Sequence, residues 1–147
     1  MKYQSILVPY DGSSHASSAL KVAVEMLKDN PAARLHVVTV IPFSTVPASI
    51  QILNKESYQT YVDAMVAQGL KSLHDKVDAL MRDVEDRSDV SATAESSVAA
   101  GILRFAKEHG CDFIVMGRRG LGALRGMLGS VSFAVLREAE IPVLTVM

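Results

Sequence analysis

Five short apolar runs, each closed by proline, glycine or a polar turn and separated by longer stretches of helical periodicity, set the strongest limit on what this chain can fold into. Ile6-Leu7-Val8 is closed by Pro9, and residues 35–41 form a β-branched run stopped at Pro42. Residues 90–94 are a shorter run, 113–116 (Phe-Ile-Val-Met) a fourth, and 141–146 a fifth with Pro142 near its start. Runs this short and this continuously apolar read as strands buried on both faces. Between them, Ala16, Ala19, Leu20, Ala23 and Leu27 recur at helical spacing up to Asn30-Pro31. Val62, Val66, Leu70, Leu73, Val77, Leu80 and Val84 make one stripe of a long helix with a polar outer face. Ser96 and Ser97 are placed to cap a helix that runs to Lys107, with Gly110 at C′, and a last helix spans residues 130–139. Residues 43–55 read as irregular, and the charged run 82–89 as a solvated helix end and loop. Strands alternating with helices require a parallel sheet covered on both faces. Right-handed crossovers then wind it doubly, and ligands sit beyond the strand carboxyl ends where strand order reverses.

Two loops leave such ends. The first, Asp11-Gly12-Ser13-Ser14, is a turn that supplies helix caps. The second is Gly117-Arg118-Arg119-Gly120-Leu121-Gly122-Ala123-Leu124-Arg125-Gly126-Met127-Leu128-Gly129-Ser130. Glycine lets backbone approach a ligand without a Cβ, and successive N–H groups leading into a helix N-terminus make an anion site. No acidic residue occurs from position 113 to 137, whereas Arg118, Arg119, Arg125 and Arg137 do. In a chain of net charge −1 that is a local positive patch. Glycine content alone fits a connector as well as a phosphate cradle. The missing carboxylates and Ser130 as the cap of the next helix favour phosphate. The loop is not a Walker A loop, since it lacks Gly-Lys-Ser/Thr, and Arg125 stands where a dinucleotide fingerprint needs its third glycine. A carboxylate at Asp11 would repel phosphate and suits the nucleoside end of a ligand. The two loops together therefore point to a nucleotide.

Other chemistry finds little support. His15, His36, His74 and His109 have no metal-ligand or nucleophile–base spacing to one another. His36 reads as a strand residue, and His74 and His109 as exposed helix surface. The lone Cys111 excludes an internal disulfide and reads as a small hydrophobe at a strand start. No general base is evident beside the glycine loop, which argues against an enzyme and against fast hydrolysis. Near-neutral charge argues against nucleic acid as a partner. No run is long enough to span a membrane and no export signal is evident, so a cytoplasmic protein is expected.

The pieces Ile6-Leu7-Val8-Pro9-Tyr10-Asp11-Gly12-Ser13, Leu35-His36-Val37-Val38-Thr39-Val40, Asp112-Phe113-Ile114-Val115-Met116-Gly117, Gly129-Ser130-Val131-Ser132 and Ile141-Pro142-Val143-Leu144-Thr145-Val146 stand in one order along the chain. In these it resembles the universal stress protein family, nearly end to end. The resemblance implies one domain over residues 1–147, an α/β doubly wound fold that is Rossmann-like and adenine-nucleotide alpha-hydrolase-like. Its five-stranded parallel sheet would run in the order 3-2-1-4-5. It also implies a homodimer joined through the last strand, from Val143 to Met147, which would cover an apolar sheet edge. The ATP-binding branch of that family carries Gly-x2-Gly-x9-Gly-Ser/Thr. Here Gly117-x2-Gly120 is followed by only eight residues before Gly129-Ser130. One residue fewer shortens the reach by roughly 3.5 Å, which Gly122 and Gly126 are free to absorb in a tighter turn. By resemblance, Asp11 and the backbone at Val40 hold adenine and ribose. Gly117, Gly120, Gly129, Ser130 and Val131 hold phosphates with Ser132 close by, and Pro9, Met116 and Arg118 complete the cofactor-binding set. A second departure is Ser96-Ser97-Val98, where relatives often carry Gly-x-Pro. The expected function is an ATP-binding regulatory homodimer of the stress response, with Mg²⁺ accompanying the phosphates. The alternative is a dimeric interaction module of the same fold that binds no nucleotide, and a slow ATPase stands behind both.

Overall fold

A computed structural model describes residues 2–121 and 127–147. Gly122, Arg125 and Gly126, on which the positive patch and the tighter turn partly depend, lie outside the described residues. The strands are β1 (Ser5–Pro9), β2 (Arg34–Pro42), β3 (Ser88–Glu95), β4 (Phe113–Gly117) and β5 (Val143–Val146). The helices are α1 (Ser14–Asp29), α2 (Ala48–Gln51), α3 (Lys55–Val77), α4 (Val98–Glu108) and α5 (Ser130–Glu138). All pairings are parallel, in the order β3-β2-β1-β4-β5. The strand order reverses between β1 and β4, so the loops after these two strands diverge there, as the doubly wound pattern requires.

Alternation along each strand divides the core in two. Ile6, Val8, Leu35, Val37, Phe113 and Val115 pack with Leu20, Leu27, Leu73, Val77 and Val84 beneath α1 and α3. Leu7, Val38, Ile114 and Met116 pack on the other face with Ile102, Phe105 and Val135 of α4 and α5. Cys111 is buried on this second face as a small hydrophobe. Side-chain caps begin three helices: Ser13 accepts from the Ala16 N–H (3.1 Å), Asn54 from Ser57 (2.8 Å) and Ser97 from Ala100 (3.1 Å). Gly110 takes φ +62° just beyond α4, the left-handed C′ position its spacing predicts.

Several expectations are corrected. The stripe running to Val84 is not one α-helix, because α3 ends at Val77 and a 3₁₀ segment, Asp78–Arg87, kinked at Val84, follows. Three residues per turn put Met81 and Val84 on one side, so Met81 takes the buried place that the α-helical pattern gives to Leu80. The charged run is no simple solvated end either. The Arg87 guanidinium donates to the carbonyls of Leu27 (3.0 Å), Asn30 (3.1 Å) and Ala33 (3.4 Å), gathering the α1–β2 turn. The 3₁₀ turn Phe43–Thr45 and helix α2 lie in the stretch read as irregular. β3 is longer than its apolar run, since pairing with β2 from Leu35↔Ser88 to Pro42↔Glu95 carries its polar ends into the sheet.

Candidate functional site

At the carboxyl ends of the strands lies a cleft of about 690 Å³, inside the range for small-molecule sites. Its apolar wall is Val38, Val40, Val98, Ile102 and Met116, and the loops after β1 and β4 form the opposite rim. Pro9, Asp11, Gly117, Gly120, Gly129, Ser130, Val131 and Ser132 also line it. Of the eleven residues expected there, Arg118 is the exception. It leaves β4 with its N–H on the Val146 carbonyl (2.7 Å) and its guanidinium against Met147 Sδ (3.5 Å), at the end of β5. Its neighbour Arg119 lines the cleft instead. Both residues stand in the bend beyond β4, where strand alternation no longer holds, and their distant partners separate them: the end of β5 for Arg118 and His15 for Arg119.

The glycines do different things. A Cβ on Gly117 would stand 2.9 Å from the backbone of His15 and Ala16, so this glycine lets the end of β4 pass the first turn of α1. A Cβ on Gly120 would collide with the Asp11 carboxylate. Gly129 has Arg119 Cα and the Gly120 nitrogen on its open side, at 3.3 and 3.4 Å from where a Cβ would sit. Its N–H donates to the Arg118 carbonyl at 2.9 Å. The loop with eight intervening residues therefore closes, and Gly129 meets Gly120 across it.

Ser130 is not a cap. It is the first helical residue of α5, the N-cap is Gly129, and no side chain caps this helix. The Ser132 hydroxyl donates instead to the Gly117 carbonyl (2.8 Å), tying α5 to the end of β4. The first-turn N–H groups of α5 have no preceding turn to bond, and they begin at the cleft wall. Asp11 bridges the two loops: Oδ1 accepts from Ser13 N–H (2.9 Å) and Oδ2 from Leu121 N–H (3.2 Å). Arg119 places Nη2 3.0 Å from His15 Nε2. Tyr10, Thr39 and the apolar wall from α4 were missed by sequence reasoning, since only the crossovers lay α4 against β2 at the cleft.

The remaining histidines take no part in the cleft. His36 is buried in β2, with Nδ1 2.8 Å from Asp89 Oδ2 at an angle short of a hydrogen bond. His74 is exposed and pairs with Asp78 (2.9 Å). His109 is exposed at the end of α4 and stacks on Phe105 at 3.7 Å. Among the described residues, no group of three or more His, Cys, Asp or Glu is arranged to hold a metal ion, and no helix is long and apolar enough to cross a membrane.

The universal stress protein family model matches residues 2–147. The chain belongs to the universal stress protein family. A universal stress protein of Methanocaldococcus jannaschii is 32% identical over 149 residues, covering 98% of this chain and 82% of its own. One from Bacillus subtilis is 31% identical over 148 residues, covering 98% and 99%. Among solved structures, the universal stress protein UspA of Lactobacillus plantarum superposes with a TM-score of 0.79 at 21% identity, covering 100% and 99% of the two chains. A universal stress protein crystallised in complex with cAMP superposes at 0.66 with 25% identity and the same coverage. The shared fold of these universal stress proteins is the five-stranded parallel sheet in the order found here.

Proposed function

We propose that this protein is an adenine-nucleotide-binding regulator of the stress response, with ATP as its ligand, acting as one domain over residues 1–147 in the cytoplasm. The observation that carries the reading is the closed glycine loop. The Gly129 N–H on the Arg118 carbonyl brings the start of α5 beside Gly120, despite the missing residue. Phosphates would lie against Gly120, Gly129 and the first turn of α5, where N–H groups and the helix dipole favour anions. Adenine would take the apolar wall at Val40, Met116 and Ile102, and Asp11 the ribose. Mg²⁺ would come with the phosphates, held by them and by water. The relative in complex with cAMP supports adenine nucleotide as the ligand class.

The protein would work as a homodimer through β5. That strand is the sheet edge, and Leu144 on it and Met147 just beyond it are exposed. Pairing with a second copy would cover the unpaired N–H and C=O groups of an apolar edge. Leu144→Lys is expected to yield monomers in light scattering.

Calorimetry with ATP, ADP, AMP and cAMP, and mass spectrometry of whatever small molecule the purified protein releases, test the ligand. Saturable binding is expected, and Gly120→Val removes it with the far-UV circular dichroism unchanged. No heat with any nucleotide and none released would overturn the reading. One observation favours the alternative, an interaction module without nucleotide: both Asp11 oxygens already accept from the chain itself, and one of them is on a loop amide. That module predicts intact dimers and unchanged partner capture in a Gly129→Val, Ser130→Ala protein.

A further inference from the structure

We propose that Arg119 is the side chain that reads phosphate in the cleft, and that His15 is the residue that positions it. The inference rests on the cleft being a nucleotide site and names what measures the ligand's charge there. Among the described residues lining the cleft, Asp11 and Arg119 are the charged ones, and Arg119 is the cation. A nucleoside triphosphate carries several negative charges, whereas a helix N-terminus supplies about half a positive charge. A guanidinium adds a full one, with donors in a fork that matches phosphate oxygens.

The placement suits that task. The Arg119 backbone packs against Gly129, the residue that opens α5, so its side chain starts where phosphate would meet the helix. A guanidinium only donates hydrogen bonds. His15 Nε2, at 3.0 Å from Nη2, must therefore accept, which assigns a neutral imidazole with its proton on Nδ1. Nδ1 is buried and has no hydrogen-bond partner among the described residues. A half-buried imidazole with its inner nitrogen unsatisfied is a poor choice for packing alone, since a desolvated polar atom costs stability. Its bond to Arg119 gives a reason for it. Arginine is rich in rotamers, and a tether formed in the free protein lessens the freedom lost when ligand binds.

Calorimetry with ATP, adenosine and inorganic tripolyphosphate tests the pair, with thermal melts on every variant. Arg119→Ala is expected to weaken ATP and tripolyphosphate roughly tenfold to a hundredfold, the loss of a hydrogen bond to a charged group, with adenosine unchanged. Arg119→Lys keeps the charge without the fork and falls between. His15→Leu weakens ATP roughly three- to tenfold. His15→Gln, whose amide oxygen can accept near the place of Nε2, restores it. Arg137→Ala, which removes an equal charge at the far end of α5, leaves ATP affinity intact. Unchanged ATP affinity in Arg119→Ala, or an equal loss of adenosine, would overturn the role of Arg119. His15→Gln binding as poorly as His15→Leu would overturn that of His15. A wild type that takes tripolyphosphate but not ATP refutes the nucleotide reading and keeps the anion site. One that takes neither overturns both.

Discussion

The two ends of the sheet use polar groups in opposite ways. At the amino ends, the chain answers itself. The Asp112 carboxylate accepts from the N–H groups of Gln4 and Ser5 at 2.9 and 3.0 Å, joining the start of β1 to that of β4. Asn30 donates its side-chain amide to the Tyr3 carbonyl (2.8 Å), and Arg87 gathers three more carbonyls across the α1–β2 turn. At the carboxyl ends, Asp11, Arg119, His15 and the start of α5 also find partners, but they find them around a cleft. The first arrangement holds the strands in register. The second ties the two loops to each other and to α1 around that cleft. A charged residue at the base of this sheet is therefore a fastener, and one at the top is a candidate reader of ligand.

Substitutions can break that contrast. The largest effect is expected from Gly117→Val, which lies at the binding end yet packs like a core residue. Its added carbons meet the α1 backbone, which has nowhere to shift, so the loss should be about 3 kcal/mol in chemical denaturation. A mild loss of stability with nucleotide binding abolished would return Gly117 to the role the family motif gives it. Next comes Arg87→Ala, which leaves three carbonyls without their shared donor and should cost about 2 kcal/mol. Its ATP affinity should match the wild type. A weakened affinity would mean the two ends are coupled and the contrast fails.

The smallest effect concerns pH at the amino end. Burial raises the Cys111 thiol above its ordinary range, against a smaller opposing contribution from the Ser5 hydroxyl at 3.7 Å. A raised thiol favours the protonated form in the folded state. Its contribution is then present below the unfolded thiol value of about 8.5 and fades as pH rises through the folded one. Stability measured from pH 7 to 10 should decline more steeply for the wild type than for Cys111→Ala. Equal slopes would say the thiol is open to water and this end is less closed than its hydrogen bonds imply.

Much of this was legible in the chain because local patterns carried it. The apolar runs set the strands, and the parity within Ile6-Leu7-Val8 and Phe113 to Met116 divided the two cores. Ser13, Ser97 and Gly110 took the cap and C′ positions their residue types favour. What failed was decided by contacts distant in sequence. Leu80 yields the fully buried place to Met81 and packs at the margin of the same core, because the chain tightens into 3₁₀ turns on its way to β3. Ser130 looked like a cap, but Gly129 is held by the Arg118 carbonyl and begins the helix one residue earlier than a capping serine would. Arg118 and Arg119 are equivalent in composition, and they part only because one faces the end of β5 and the other faces His15.

By itself the sequence determined the strand and helix order, the doubly wound sheet, the two loops at the switch point and the family. The elements, the sheet and the loops follow from residue type and spacing, which act over a few residues at a time. The family follows from the resemblance of segments spread along the whole chain. The tertiary structure alone decided that Gly129 meets Gly120 across a loop one residue short. It also decided that Gly117 is spaced for α1, and that the cation on the cleft wall is Arg119. Those outcomes depend on where α1 and α5 lie against the end of β4, and that placement is set by the packing of the whole sheet.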